Sequence, residues 1–135
     1  MPTYLADTSA WHRGPKSPRW ETMIEEGDVL LCAPVALELL WSARGPADYR
    51  RLAAYLTAGF RHLPVDRRAE RLAMRVQATL AARSQHRGPR PVDLLIAAIA
   101  ELHRVTLLYY DRHFDAIRRV TGQPMEWIAP RGSLD

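Results

Sequence analysis

The chain has 135 residues, a formal net charge of +4 and 47% hydrophobic residues, values typical of a globular domain rather than a disordered segment. No apolar run reaches the ~18 residues of a membrane span, and no basic segment precedes an apolar stretch near Met1, so we expect neither a transmembrane helix nor a signal peptide. Cys32 is the single cysteine, which excludes an internal disulfide, and we expect a protein of the cytoplasm.

Short apolar runs alternate with helical segments along the chain. The runs predict strands at residues 4–6, 29–32, 60–65, 105–110 and 125–128. The segments between them predict helices at residues 10–11, 19–26, 34–43, 47–58, 67–83, 94–103 and 114–120. Continuous apolar strands that alternate with helices are typical of a parallel sheet with both faces covered. We therefore predict one α/β domain, residues 1–135, with a central parallel sheet between two layers of helices.

Four acidic residues lie at the ends of predicted strands or within the predicted apolar helices. Asp7 ends the first predicted strand, and Asp111 ends the fourth. Asp93 opens a very apolar helix, whereas Glu38 lies inside another helix among leucines. Because ligands of open parallel sheets bind beyond the carboxyl ends of the strands, we expect at least two of the four carboxylates at that edge. We predict that all four form one catalytic site.

Such a cluster favours a metal ion, because neighbouring carboxylates repel one another unless a cation neutralises them. Mg²⁺ and Mn²⁺ prefer oxygen ligands, and a metal of this kind activates water for attack on phosphate. We predict Asp7, Asp93 and Asp111 as metal ligands, with Asp7 and Asp93 the first choices. Glu38 or Asp111 could orient or deprotonate the attacking water.

Each of these residues also has a purely structural interpretation. Asp7 and Asp93 could be helix caps, and Asp111 could belong to an ordinary turn. Glu38 could pair with an arginine such as Arg44 or project into solvent. The neighbouring hydroxyl groups are predicted to support the site: Thr8 and Ser9 would hydrogen-bond Asp7 or a metal-bound water, or cap the helix, and Ser42 would hold Glu38.

Four sequence motifs in the same order resemble those of PIN-domain nucleases, especially the VapC toxins of toxin–antitoxin pairs. They are LADTSA at residues 5–10, ALELLWSA at 36–43, PVDLLIAA at 91–98 and LYYDRHFDAI at 108–117, followed by VTGQ at 120–123. The resemblance implies a Mg²⁺- or Mn²⁺-dependent endoribonuclease that cleaves structured RNA such as transfer or ribosomal RNA. It also implies a VapB-type antitoxin as partner and a homodimer.

One position departs from the family pattern. Many relatives carry a second acidic residue two places after the fourth aspartate, where this chain has His113. Asp115 is nearby but is expected one turn into the following helix. We therefore predict one firmly bound metal ion, and His113 either contacts a phosphate or stays at the surface. The competing hypothesis is a catalytically weak PIN domain that binds RNA or protein.

An RNA substrate requires positive charge around the acidic site. The candidates that flank the motifs are Arg13, Arg87, Arg90 and Arg112. Trp11 could stack on a base or pack against a partner, whereas Trp20, Trp41 and Trp127 are predicted in the core or an interface.

Overall fold

Seven helices and five strands make up residues 3–135, which are the residues that the computed structural model describes. The strands are β1 (Tyr4–Ala6), β2 (Val29–Cys32), β3 (His62–Leu63), β4 (Thr106–Tyr109) and β5 (Met125–Trp127). The helices are α1 (Thr8–Arg13), α2 (Pro18–Glu25), α3 (Ala33–Trp41), α4 (Pro46–Gly59), α5 (Arg67–Ala82), α6 (Pro91–Leu102) and α7 (His113–Thr121). A single 3₁₀ turn, Gly14–Lys16, separates α1 from α2.

The strands form one parallel sheet in the order β3-β2-β1-β4-β5. The chain moves outward from β1 through β2 to β3, then returns to the other side of β1 and continues from β4 to β5. The strand order therefore reverses between β1 and β4. A parallel sheet opens a crevice beyond the carboxyl ends of its strands at such a point, and this is the usual place for a ligand.

Two apolar cores lie on opposite faces of the sheet, because successive side chains of a strand alternate between its faces. Leu5 and Leu107 belong to the larger core, which α3 to α7 cover, whereas Ala6 and Leu108 belong to the smaller core under α1 and α2. The predicted three-layer arrangement with helices on both faces is confirmed. Among the described residues, no helix has the length and apolarity needed to span a membrane.

Several element boundaries differ from the sequence prediction by one to three residues, and two of these differences involve a proline. The third strand was predicted at residues 60–65 but contains only His62–Leu63, because Pro64 has no N–H group to donate to the neighbouring strand. Helix α6 was predicted to begin after Asp93 and begins instead at Pro91, a residue that favours the first helical turn. Asp93 is therefore the third residue of α6, and its carboxylate lies beside the first turn.

Candidate active site

Asp7 lies at the reversal point of the strand order, between the end of β1 and the start of α1. Its side chain is almost fully buried, with 1% exposed. Oδ1 accepts hydrogen bonds from Ser9 Oγ at 2.7 Å and from the Ala10 backbone N–H at 3.1 Å, so Asp7 is the N-cap of α1. Ser9 Oγ also accepts a hydrogen bond from the Tyr110 N–H at 2.8 Å, which ties this turn to the end of β4.

Burial raises the pKa of the Asp7 carboxyl from 3.8 to about 7, and the negative charge of Asp93 contributes to the increase. The hydrogen bonds from Ser9 and Ala10 oppose this increase without offsetting it. Helix capping alone does not explain this environment, because an N-cap aspartate at a protein surface needs no burial. Asp7 is therefore a buried carboxylate that a cation would stabilise.

Asp93 is equally buried, with 1% exposed, and caps its own helix. Oδ2 accepts a hydrogen bond from the Arg90 backbone N–H at 3.0 Å, and Oδ1 lies 3.2 Å from the Arg90 guanidinium. Burial raises the pKa of Asp93, Arg90 opposes the increase, and the charge of Asp111 adds to it. Capping and a place in the acidic cluster are thus compatible for this residue.

Glu38 projects from α3 and is held at both of its oxygens. Oε1 accepts a hydrogen bond from Thr8 Oγ1 at 2.6 Å, and Oε2 lies 3.0 Å from the Arg90 guanidinium. Glu38 therefore pairs with an arginine, as one alternative predicted, but with Arg90 and not with Arg44, and Thr8 contacts Glu38 rather than Asp7. The predicted support from Ser42 is also wrong, because α3 ends at Trp41 and Ser42 Oγ donates to the Leu39 carbonyl at 2.7 Å.

Asp111 follows β4 and is less buried than Asp7 and Asp93. Its Oδ1 accepts the His113 N–H at 2.9 Å and lies 3.1 Å from His113 Nδ1, so His113 contacts the carboxylate directly. Asp115 takes no part in this group. It accepts hydrogen bonds from the Tyr109 hydroxyl at 2.6 Å and from Trp127 Nε1 at 3.3 Å, beside β4 and β5.

Cys32, at the end of β2, also lies close to this group. Burial raises the pKa of the Cys32 thiol to about 11, and the charges of Asp7 and Glu38 add to the increase. No role in the site was predicted for Cys32, although its position at the end of a strand was a signal that could have placed it there. The charge of Asp93 thus raises the pKa of Asp7, the charge of Asp111 raises the pKa of Asp93, and Arg90 links Asp93 to Glu38.

The donor set fits a hard divalent cation, because all four candidate side chains present carboxylate oxygens and two of them are buried. Within residues 3–135, however, no three acidic, histidine or cysteine side chains already enclose a site for an ion. The guanidinium of Arg90 forms ion pairs with both Glu38 and Asp93 instead. Its side chain is exposed, so Arg90 reaches these two carboxylates from the solvent side of the cleft.

A groove of about 1000 Å³ opens next to the cleft, between α1, α3 and α6. Glu38 and Arg90 lie on its wall, together with the apolar side chains of Leu37 and Trp41. These two apolar residues are 66% and 89% exposed, so of the two positions predicted for Trp41, core or interface, the core is excluded. An apolar surface of this kind commonly marks an interaction site.

The remaining predicted RNA contacts differ in exposure. Arg87 and Arg112 are exposed, whereas Arg13 is half-buried with its guanidinium 5.9 Å from the centre of the Tyr110 ring. Trp11 packs edge-on against Trp20 and Phe60, so it belongs to the packing beneath α1.

The sequence matches the PIN domain family over residues 4–120. Ribonuclease VapC18 of Mycobacterium tuberculosis is 39% identical over 136 residues, which cover 97% of this chain and 98% of that protein. Ribonuclease VapC51 of the same organism is 42% identical over 135 residues, which cover 98% and 97% of the two chains.

Solved structures share the fold at lower sequence identity. A DNA-bound VapBC from Salmonella typhimurium has a TM-score of 0.74 at 19% identity and covers 96% of this chain and 100% of its own. VapBC-5 from Mycobacterium tuberculosis has a TM-score of 0.63 at 24% identity and covers 93% and 98%. These structural similarities support the fold, whereas the family match and the two ribonuclease relatives show the family. The chain belongs to the PIN-domain family and, within it, to the VapC ribonucleases.

Proposed function

We propose that the protein is a metal-dependent endoribonuclease toxin that hydrolyses phosphodiester bonds of structured RNA, of the transfer or ribosomal RNA class, in the cytoplasm. The observation that carries this proposal is the pair of buried carboxylates, Asp7 and Asp93, at the reversal point of the strand order. Burial of two interacting acids destabilises a fold unless a cation neutralises them, so their placement serves a site. The relatives named ribonuclease support the choice of substrate.

Asp7, Asp93 and Asp111 are the residues that would hold one Mg²⁺ or Mn²⁺ ion, because their oxygens match the preference of both metals. When bound, such an ion supplies an activated water and stabilises negative charge on the phosphate. The side chains around it keep the carboxylates in place. Ser9 orients Asp7, and the N–H group of Arg90 orients Asp93.

Glu38 is our candidate for the group that accepts the proton of the attacking water. Its carboxylate is oriented by Thr8 at 2.6 Å and lies on the wall of the groove, where a substrate has access. Asp111 is instead engaged by His113 at 3.1 Å, which leaves it better suited to complete the acidic ring. Arg87 and Arg112 are exposed and would contact phosphates, and Arg13, half-buried against Tyr110, is a further candidate.

The direct test incubates the purified, metal-free chain with transfer RNA and with ribosomal RNA fragments. We expect cleavage when Mg²⁺ or Mn²⁺ is added, no cleavage in EDTA, and recovery when excess metal follows the chelator. Mapping the 5′ ends of the products identifies the sites that are cut. RNA binding without metal-dependent cleavage would favour the competing hypothesis of a catalytically weak binding module.

We propose an antitoxin of the VapB type as the protein partner, and the apolar groove as the surface that it covers. Leu37 and Trp41 form an exposed apolar wall that continues into the cleft beside Glu38 and Arg90. A bound segment would bury this wall and also block the way to the carboxylates. The VapBC complexes that share the fold support the choice of partner, and a homodimer of the toxin remains part of the proposal.

Trp41→Ser is expected to weaken antitoxin binding by about tenfold or more, because a tryptophan that becomes buried in a complex is commonly a dominant contact of the interface. Tyr49→Ser is the matched control, since Tyr49 is 47% exposed on α4 and does not line the groove. Titration calorimetry with a VapB-type antitoxin, taken from a small reading frame next to the gene, measures both affinities. Equal affinities of the two variants would assign the antitoxin to another surface.

A further inference from the structure

The guanidinium of Arg90 bridges two carboxylates of the acidic cleft. Nη1 lies 3.0 Å from Glu38 Oε2, and Nη2 lies 3.2 Å from Asp93 Oδ1. The two acids come from different helices, α3 and α6, and are 55 positions apart in the sequence. A single positive charge is therefore shared by two of the four candidate catalytic carboxylates.

The guanidinium reaches the cleft from the solvent side. Its side chain is 58% exposed, whereas the side chains of Glu38 and Asp93 are only 22% and 2% exposed. Both acids also have a second anchor that does not involve the guanidinium. Thr8 holds Glu38, and the Arg90 backbone N–H holds Asp93. The arginine side chain can therefore leave without releasing either carboxylate.

We propose that Arg90 is a built-in counter-ion that competes with the divalent cation for Asp93, one of the three proposed metal ligands, an inference that rests on the proposed metal-dependent function. A metal ion on Asp93 and the guanidinium that contacts the same carboxylate would repel each other. Binding of the metal therefore favours movement of the guanidinium away from Asp93, which would also free Oε2 of Glu38. The predicted contact between Arg90 and RNA becomes available only in that state, because the same guanidinium is otherwise engaged in the cleft.

The test measures Mn²⁺ binding to the metal-free full chain by titration calorimetry, in wild type, Arg90→Gln and Arg87→Gln. Glutamine at position 90 removes the charge but keeps the backbone N–H that caps Asp93. We expect Arg90→Gln to lower the Kd for Mn²⁺ about two- to fivefold, the range typical of a partly exposed ion pair. Arg87→Gln removes the same charge from an exposed position in the same loop, and we expect a change below about twofold.

Thermal unfolding gives a second readout. Without metal, Arg90→Gln is expected to melt at a lower temperature than wild type, because Glu38 and Asp93 lose their counter-ion. Saturating Mn²⁺ is expected to raise the melting temperature of Arg90→Gln by more than it raises that of wild type. Arg90→Lys keeps the charge without the two-pronged contact, so its Kd is expected between those of wild type and Arg90→Gln. This variant tests the proposal independently if Arg90→Gln does not fold.

Two results would overturn the proposal and can be told apart. If wild type binds Mn²⁺ and Arg90→Gln binds it equally or more weakly, Arg90 is a structural support of the carboxylates and not a competitor. If neither wild type nor the variants bind Mn²⁺ at millimolar concentration, the competition and the proposed metal site both fail.

Discussion

Asp7→Asn is expected to reduce metal-dependent RNA cleavage by about a thousandfold or more, which corresponds to about 4 kcal/mol of lost transition-state stabilisation. The amide keeps a carbonyl oxygen in the place of Oδ1, so the hydrogen bonds from Ser9 and Ala10 can be retained. It removes the negative charge that would bind the metal. The loss should therefore appear in the cleavage rate and in Mn²⁺ binding while the fold persists. Initial rates at saturating Mg²⁺ measure the effect.

Asp28→Asn is the matched control for this substitution. Asp28 is also a buried aspartate, with 9% exposed, but it precedes β2 at the amino-terminal edge of the sheet, away from the cleft. We expect this variant to cleave RNA at a rate close to that of wild type. If Asp7→Asn cleaves as fast as Asp28→Asn, Asp7 is only a helix cap and the proposed site is wrong.

The sheet and the position of Asp7 could be predicted because local sequence determines both. The runs at Val29–Cys32 and Thr106–Tyr109 are almost continuously apolar, as both faces of a parallel strand are buried, and Pro34 lies in the first turn of α3 as expected. Asp7 follows its strand immediately, so the end of the strand fixes the edge at which the side chain lies. The family motifs identified the other acids in the same way.

The contacts of Glu38 could not be predicted, because they depend on how distant helices pack. Arg44 was the nearer arginine in the sequence, but the partner is Arg90, on the loop before α6. The role of Ser42 depended on a helix boundary. Helix α3 was predicted to end at residue 43 but ends at Trp41, so the Ser42 hydroxyl donates to the Leu39 carbonyl. The exposure of Trp41 likewise could not be read from composition, since a tryptophan in an apolar helix is usually buried.

The metal-free protein is expected to lose stability as the pH rises from about 4 to about 7, because of Asp7. The pKa of this carboxyl is about 7 in the folded protein, against 3.8 for an unperturbed aspartate. Between these values the folded state retains a proton that the unfolded state has released. The stabilisation is fully present below the unfolded pKa and is lost as the pH rises through the folded pKa, and the difference corresponds to about 4 kcal/mol at most.

Asp7→Asn should therefore be more stable than wild type at pH 8 in EDTA and about as stable as wild type near pH 4, although we expect it to lose RNA cleavage. Urea unfolding of both proteins at pH 4, 6 and 8 measures the difference, which should widen with pH. Saturating Mg²⁺ at pH 8 should narrow or reverse it, because a cation stabilises the Asp7 carboxylate and not the amide. If the difference in unfolding free energy between the two proteins does not depend on pH, other groups of the folded chain offset the cost of burying the Asp7 carboxylate. A widening difference would instead mean that the fold keeps a destabilising acid at the position where the proposed chemistry needs a negative charge.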